Sequence, residues 1–236
     1  MASAITGLFG FRATQTAAYR RIRKSDQAAQ YIEGGVVIDG THSGDATNTA
    51  NPDVLRPGKI MVKAASGGLY RNFIIGKTTA AYVDNDVTLT VSAATATEIG
   101  RLLTAAGTSL SLALIGPPSA AGTVAATAIT VTAVASATTI SISDLNLAKV
   151  TDSLIALPAA GYTAGSFCIV DDGTGIKCSD AAGTRVNQEW NRPLIGGHID
   201  ESQILDWPAD TSTIAYLKGL LNVAATGYGF NFDGAY

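Results

Sequence analysis

Charge is what this sequence most lacks. Between Asp86 and Asp144 only Glu98 and Arg101 are charged, and Asp, Glu, Lys and Arg make up 15% of the 236 residues, against roughly 25% in an ordinary globular chain. Proton transfer and metal ligation both need titratable groups, so the most regular part of the chain is poor ground for an active site. Histidine occurs only at 42 and 198, and cysteine only at 168 and 178. Two thiols alone do not make a zinc site, and no metal or other cofactor is expected. No apolar run reaches the roughly 18 residues of a membrane-spanning helix. The first residues put no charge ahead of a long apolar core, so a signal peptide is not expected either.

What fills the gap is alanine, threonine and glycine. Val87-Thr88-Leu89-Thr90-Val91, Ile129-Thr130-Val131-Thr132 and Thr139-Ile140-Ser141-Ile142-Ser143 alternate apolar and hydroxyl side chains with the period of a β-strand. A surface so thinly charged favours contact with other protein, because few ions must be desolvated on burial. The pattern reads as a structural β-protein rather than an enzyme.

The rest of the chain adds detail. Leu55-Arg56-Pro57-Gly58 is a turn leading into a strand at 59–63, which Ser66-Gly67-Gly68 reverses into 69–75. A helix is expected over 93–106, capped by Thr95 or Thr97, with Ile99, Leu102 and Leu103 on one face. Further strands are expected at 109–115, 124–134, 138–143, 153–157, 166–170 and 176–178. Residues 190–197 read as irregular, and Asp210 opens a short C-terminal helix. Cys168 and Cys178 flank a hairpin turning at Asp172-Gly173, a geometry open to a cross-strand bridge, although two buried or half-buried free thiols are the favoured reading. The segments group as an arm at 1–35, a body at 36–82 and 150–236, and an inserted Ala/Thr-rich β module at 83–149.

The arm concentrates what charge there is. No acid precedes Asp26, while Arg12, Arg20, Arg21, Arg23 and Lys24 give +5, which leaves 11 bases against 19 acids for the remainder. A basic arm on an acidic body points to an acidic partner surface. Another protein's acidic face fits better than nucleic acid, because five charges with few interleaved aromatics fall short of a nucleic-acid groove. Residues 13–24 also have adequate helix propensity.

Few residues are spaced for reaction chemistry. Gly76-Lys77-Thr78 ends like a phosphate-binding loop, but the glycine needed five residues earlier is Arg71. His42 beside Ser43 and Asp45 reads as a solvated loop histidine, and no Gly-x-Ser-x-Gly elbow occurs. Asp171 and Asp172 are best read as turn residues. A carbohydrate-active protein working through paired aspartates therefore ranks below a structural role.

Leu55-Arg-Pro-Gly-Lys-Ile-Met-Val-Lys63 followed by Gly68-Leu-Tyr70 resembles the opening of the body in tailed-phage head decoration (cement) proteins. The Ala/Thr-rich stretches at 89–98, 116–124 and 129–134 are similar to modules common in phage virion proteins, so the resemblance covers roughly residues 50–200. It implies a mainly β fold: a small β-barrel or tulip-like body with an inserted β-rich module, an extended N-terminal arm and a short C-terminal helix. It further implies a virion structural protein on the outer surface of an icosahedral capsid, assembled in the host cytoplasm. The major capsid protein would be the partner and a homo-oligomer the working state, a trimer ahead of a dimer. No membrane or nucleic acid is implied. Under this resemblance Arg12, Tyr19, Arg20, Arg21, Arg23 and Lys24 belong to the capsid-binding arm. Tyr228, Phe230 and Phe232 form a tail suited to adding a strand to a sheet edge, its own or a neighbour's. A tail or head-fibre component is the alternative within the virion.

Overall fold

The alternating, β-branched runs form strands, as their composition favours. The computed structural model describes residues 23, 29–116, 123–143, 148–149, 151–222 and 230–233. In chain order these hold β1 (Gln30–Tyr31), β2 (Val36–Ile38), β3 (Val54–Leu55), β4 (Ile60–Ala64), β5 (Tyr70–Asn72), β6 (Ile74–Lys77) and β7 (Thr88–Thr90). Helix α1 (Ala93–Ala106) follows, then β8 (Leu110–Gly116), β9 (Ala125–Ser136), β10 (Thr139–Ile142), β11 (Leu154–Ala156), β12 (Tyr162–Ile169) and β13 (Ile176–Lys177). The last elements are β14 (Gln188–Trp190), β15 (Leu194–Asp200), α2 (Thr211–Leu221) and β16 (Phe230–Asp233). The protein is mainly β, with a curled half-barrel sheet and a short C-terminal helix. Among the described residues no helix is long and apolar enough to cross a membrane.

Two large sheets carry the fold. One has eight strands in the order β1-β15-β12-β4-β5-β2-β14, with β16 alongside β15. The other has six, β6-β11-β8-β9-β10-β7. The six-stranded sheet curls until its ends meet, where Thr78 bridges Val91 and the Thr79 amide donates to Thr90 O at 2.9 Å. It joins strands β7 to β10 of the Ala/Thr-rich segment to β6 and β11, which lie on either side of that segment in sequence.

The chain crosses between sheets at Phe73. Tyr70–Asn72 pairs with β4, whereas Ile74–Lys77 pairs with β11. The single return strand expected over 69–75 is therefore divided between two sheets. Phe73 is fully buried at the crossing, its ring edge-on to Tyr162 and Phe167, so losing ladder continuity there is offset by an aromatic cluster.

Alternation along the strands separates three apolar cores. Ile60 and Val62 of β4, with Ala113 and Ile115 of β8 and Leu154 and Ala156 of β11, belong to the central core between the sheets. Their neighbours Leu112, Leu114 and Ile155 turn to the core enclosed by the six-stranded sheet and α1. Met61 and Cys168 turn to a third core beneath β2 and β14. The period of two predicts this: a strand buried on both faces feeds two cores at once.

Both helices start where a side chain can cap them. Ser92 Oγ accepts from the Thr95 amide at 3.1 Å, so the cap of α1 lies one turn earlier than Thr95 or Thr97. Ile99 and Leu102 are buried beneath α1, as expected. Asp210 caps α2, and Leu217 and Leu221 enter the central core.

Two further expectations are corrected. Residues 190–197, read as irregular, contain the end of β14 and the start of β15, a strand with partners on both edges. Its Gly196-Gly197 pair and preceding Pro193 hide it from propensity, and pairing on both edges outweighs them. Cys168 and Cys178 do not face each other across a hairpin: β12 pairs with β4 and β15, while β13 pairs with β3. Both thiols are free and buried. Burial raises Cys168 well above its ordinary pKa and pushes Cys178 up to about 11, so neither is a ready nucleophile. Of residues 13–24, which have adequate helix propensity, only Arg23 is described, and it lies in an antiparallel bridge to Ile199.

Candidate interaction site

Arg23 and β16 meet on β15. Ile199 pairs with Arg23 on one edge and with Phe232 on the other. The tail runs parallel to β15 from Gly197↔Phe230 to Asp200↔Asp233. Phe230 is buried in the central core, and Phe232 stacks on Trp207 with centroids 5.3 Å apart. The strand-forming tail is thus added to its own sheet. Tyr228, Arg12, Tyr19, Arg20, Arg21 and Lys24 lie outside the described residues.

Arg23 is held by a second contact. Its guanidinium forms a salt bridge to Asp171, just beyond the end of β12. Tyr31 Oη, on β1, donates to the same Asp171 Oδ2 at 3.0 Å, and Arg192 lies over the Tyr31 ring at 4.6 Å. Arg23 stands 5.9 Å from that ring centroid, so the tyrosine sits near two guanidiniums. Burial pushes the Asp171 carboxyl above its ordinary range despite the opposing pull of Tyr31, Arg23 and Arg192. Burial, then the nearby Asp171 charge, raises the Tyr31 hydroxyl. Arg23 and Tyr31 are eight positions apart in sequence and Asp171 about 140 further on, so no local pattern signals this clamp.

The clamp forms one end of a cleft of about 650 Å³. One wall is the turn and strand from Asp171 to Lys177, and the other runs from Gln188 to Arg192. Asp172 accepts from the Thr174 amide at 3.0 Å and its hydroxyl at 2.8 Å. This is the turn role expected of Asp172, whereas Asp171 holds the arm.

Other charged clusters brace the long loop at 39–53. Asp39 Oδ1 accepts from the Thr41 amide at 3.1 Å and the His42 amide at 3.2 Å. Its Oδ2 meets His42 Nδ1 at 2.8 Å and Arg71 Nη2 at 2.8 Å. His42 is therefore tied to a carboxylate rather than simply solvated. Asp45, fully buried, pairs with Arg56 at 2.6 Å and lies 3.6 Å from Lys59, which also reaches Asp206 at 2.7 Å. Burial opposes its ionisation, but the Arg56 hydrogen bond, Lys59 and Thr47 together hold the Asp45 carboxyl below its usual range.

Glu98 and Arg101, the two charges of the charge-poor segment, serve the same loop. They pair with each other on α1, and Arg101 donates to Thr41 O. Arg185 donates to Ser43 O at 2.6 Å and Pro52 O at 3.0 Å. Lys149 is buried as well, its Nζ donating to Gly116 O at 2.9 Å and Ala125 O at 3.4 Å, and burial lowers its pKa. Each of these groups satisfies backbone carbonyls or a partner charge, as buried polar groups must.

Among the described residues no three His, Cys, Asp or Glu side chains gather as a metal cage. His198 lies on β15, and Glu201 nearby binds Lys218 and accepts from Trp207 Nε1 at 3.3 Å. The arrangement can seat a chain segment against a sheet edge and fix it electrostatically. Compared with protein-family models, with curated proteins and with solved structures, the chain matches none.

Proposed function

We propose that this protein is a structural component of a phage virion, decorating the outer surface of an icosahedral capsid and stabilising it. The observation that carries the reading is the fixed exit of the basic arm. Arg23 is tied by backbone to Ile199 and by side chain to Asp171, so residues 1–22, with Arg12, Arg20 and Arg21, start from a defined point on the sheet edge. An arm held at its root loses less freedom on meeting an acidic neighbour than one joined by a free linker. The exposed residues Thr132 to Thr138 of the β9–β10 hairpin carry no charge, which suits a face lying against other protein. Many weak contacts repeated over a shell add up through multivalency and need no reactive side chain. The major capsid protein is the proposed partner, and a homo-oligomer the proposed working state.

The test is co-sedimentation of the protein with shells of its own phage. Saturable binding at a fixed ratio to capsid protein is expected, weakening as salt rises because exposed charges are screened within about 8 Å at physiological ionic strength. Removing residues 1–22 should abolish binding and leave the body folded. The cut must stop before Arg23, since a longer one removes the clamp and then β1. Absence of binding by the full chain would reject decoration.

A further inference from the structure

Asp39 organises a short 3-10 turn at Gly40–His42, and in doing so it fixes the His42 ring. The carboxylate is buried, and its Oδ1 is taken up by the Thr41 and His42 amides. Its Oδ2 accepts from Arg71 Nε at 2.9 Å and Nη2 at 2.8 Å, and meets His42 Nδ1 at 2.8 Å. A carboxylate paired with a guanidinium can only accept, so Nδ1 is the ring nitrogen that carries the proton. In the neutral ring Nε2 is then a bare acceptor, and among the described residues it has no partner. Asp39 matches the charge of Arg71, so this polar pole is neutral overall, while Arg71 Nη1 is still able to donate.

The same ring lines a cavity of about 280 Å³. Its floor is Ile75, Leu102 and Leu112, all buried, and its sides are Leu110, Leu157 and Pro158, which keep part of their apolar surface exposed. These residues come from β6, α1, β8 and the turn after β11, so paired strands and a capped helix hold the shape in advance of any ligand. The His42 and Arg71 side chains are each 29% exposed, which leaves the pole open to a molecule arriving from solvent. Among the described residues, Arg71 is the one Lys, Arg, Asp or Glu in the lining, and Asp39 already holds it. A charged ligand therefore finds no counter-ion here. The volume falls just below the roughly 300–1,000 Å³ usual for drug-sized ligands, which suits a single ring.

We propose that this cavity binds a small, uncharged phenol, its ring against the apolar floor and its hydroxyl donating to His42 Nε2. One hydroxyl serves both groups of the pole, since it donates to the imidazole and accepts from Arg71. A plain hydrocarbon would fill the floor but bury Nε2 without a partner. A carboxylate would bring a second negative charge beside Asp39, where the guanidinium is already paired. The site is independent of the arm and stands whether or not the chain meets a shell.

Because His42 and His198 are the chain's two histidines, ring 15N NMR on the full chain tests this directly, with His42→Gln assigning the signals. At pH 8 the His42 ring should show a protonated Nδ1 and a bare Nε2, and the reverse tautomer would overturn the acceptor. Titration with p-cresol should move the Nε2 signal saturably and leave His198 unmoved. The half-way point is expected at roughly 1 mM, the affinity of about eight heavy atoms at modest efficiency, and no response by about 10 mM would overturn the site. Toluene at equal concentration should move Nε2 less than about a tenth as far, because it has no hydroxyl to donate. Equal responses would overturn the hydrogen bond to His42, and benzoate binding as tightly as p-cresol would reject the preference for an uncharged ligand. Ser109→Trp, at an exposed position of the rim, should abolish the p-cresol response with the urea midpoint unchanged. A response that survives that substitution would place the ligand elsewhere and reject the cavity.

Discussion

The six-stranded sheet and the eight-stranded sheet are built from similar strands and held by different forces. In the first, Leu112, Leu114, Ile129, Val131, Ile140 and Ile155 close around α1, and charge enters at its boundary, through Glu98, Arg101, Lys149 and the Lys77–Asp152 pair on β6. In the second, loops as much as strands define the structure, and ion pairs at Asp39, Asp45, Asp171 and Asp206 fix them. Regular hairpins satisfy their own backbone and need only an apolar face. The irregular loop at 39–53 must find partners elsewhere, and buried or half-buried carboxylates supply them.

Emptying the apolar core should give the largest effect. Leu114→Ala removes a fully buried side chain and should cost about 3–4 kcal/mol, measured by urea unfolding. It should lower the stability of β8 and β9 amides to exchange before those of β4. A uniform loss in both sheets would mean that the two cores unfold as one unit, and the contrast drawn above would fail.

Breaking the charged side of the contrast comes next. Asp45→Asn leaves Arg56 and Lys59 short of a buried partner and should cost about 3 kcal/mol at neutral pH, the low end for breaking a buried pair. Because the Asp45 carboxyl lies below its ordinary range in the fold, its contribution is present above pH about 4 and lost as pH falls through the depressed value. The gap between natural chain and variant should therefore close in acid. A gap that persists at pH 2 would locate the effect in packing instead of charge.

Lys149 sits where the two regimes meet. Its depressed pKa means the fold holds the amine less readily protonated than the unfolded chain, whose value is about 10.5. Stability from this group is complete above the unfolded pKa and lost as pH falls through the folded one, so the natural chain should gain stability as pH rises toward 10.5. Lys149→Met should flatten that slope in melting temperatures taken from pH 7 to 10. It should change stability at pH 7 by about 1 kcal/mol, since relief of the buried charge offsets two lost hydrogen bonds. An unchanged slope would assign it to other groups.

How much could be read from sequence follows the same division. The hairpins at β4–β5 and β9–β10 and both helices depend on nearest neighbours and alternation, and they were legible. β15 was not, because Pro193, Gly196 and Gly197 argue against a strand until the pairing of β12 and β16 is known. The Arg23–Asp171 clamp was invisible for a different reason: Asp171 has a sound local explanation as a turn residue, and nothing local points 148 positions back. The hairpin proposed between the two cysteines failed because β13 finds β3 instead of β12. Strand type is a local property, whereas partner choice is not.

The smallest expected effect tests the charge-poor surface itself. Thr132 on β9 is exposed, so Thr132→Lys touches no core and should shift stability by less than about 0.5 kcal/mol. If the absence of charge served folding, the substitution would cost more than that, and unfolding would report it at once. If the absence serves contact with other protein, stability holds and the effect appears only in assembly. A lysine on a face buried against a neighbour must then be desolvated without a partner, and shell binding should weaken while the isolated protein is unaltered. The two readings of the missing charge thus separate on one residue, by comparing an unfolding curve with a binding isotherm.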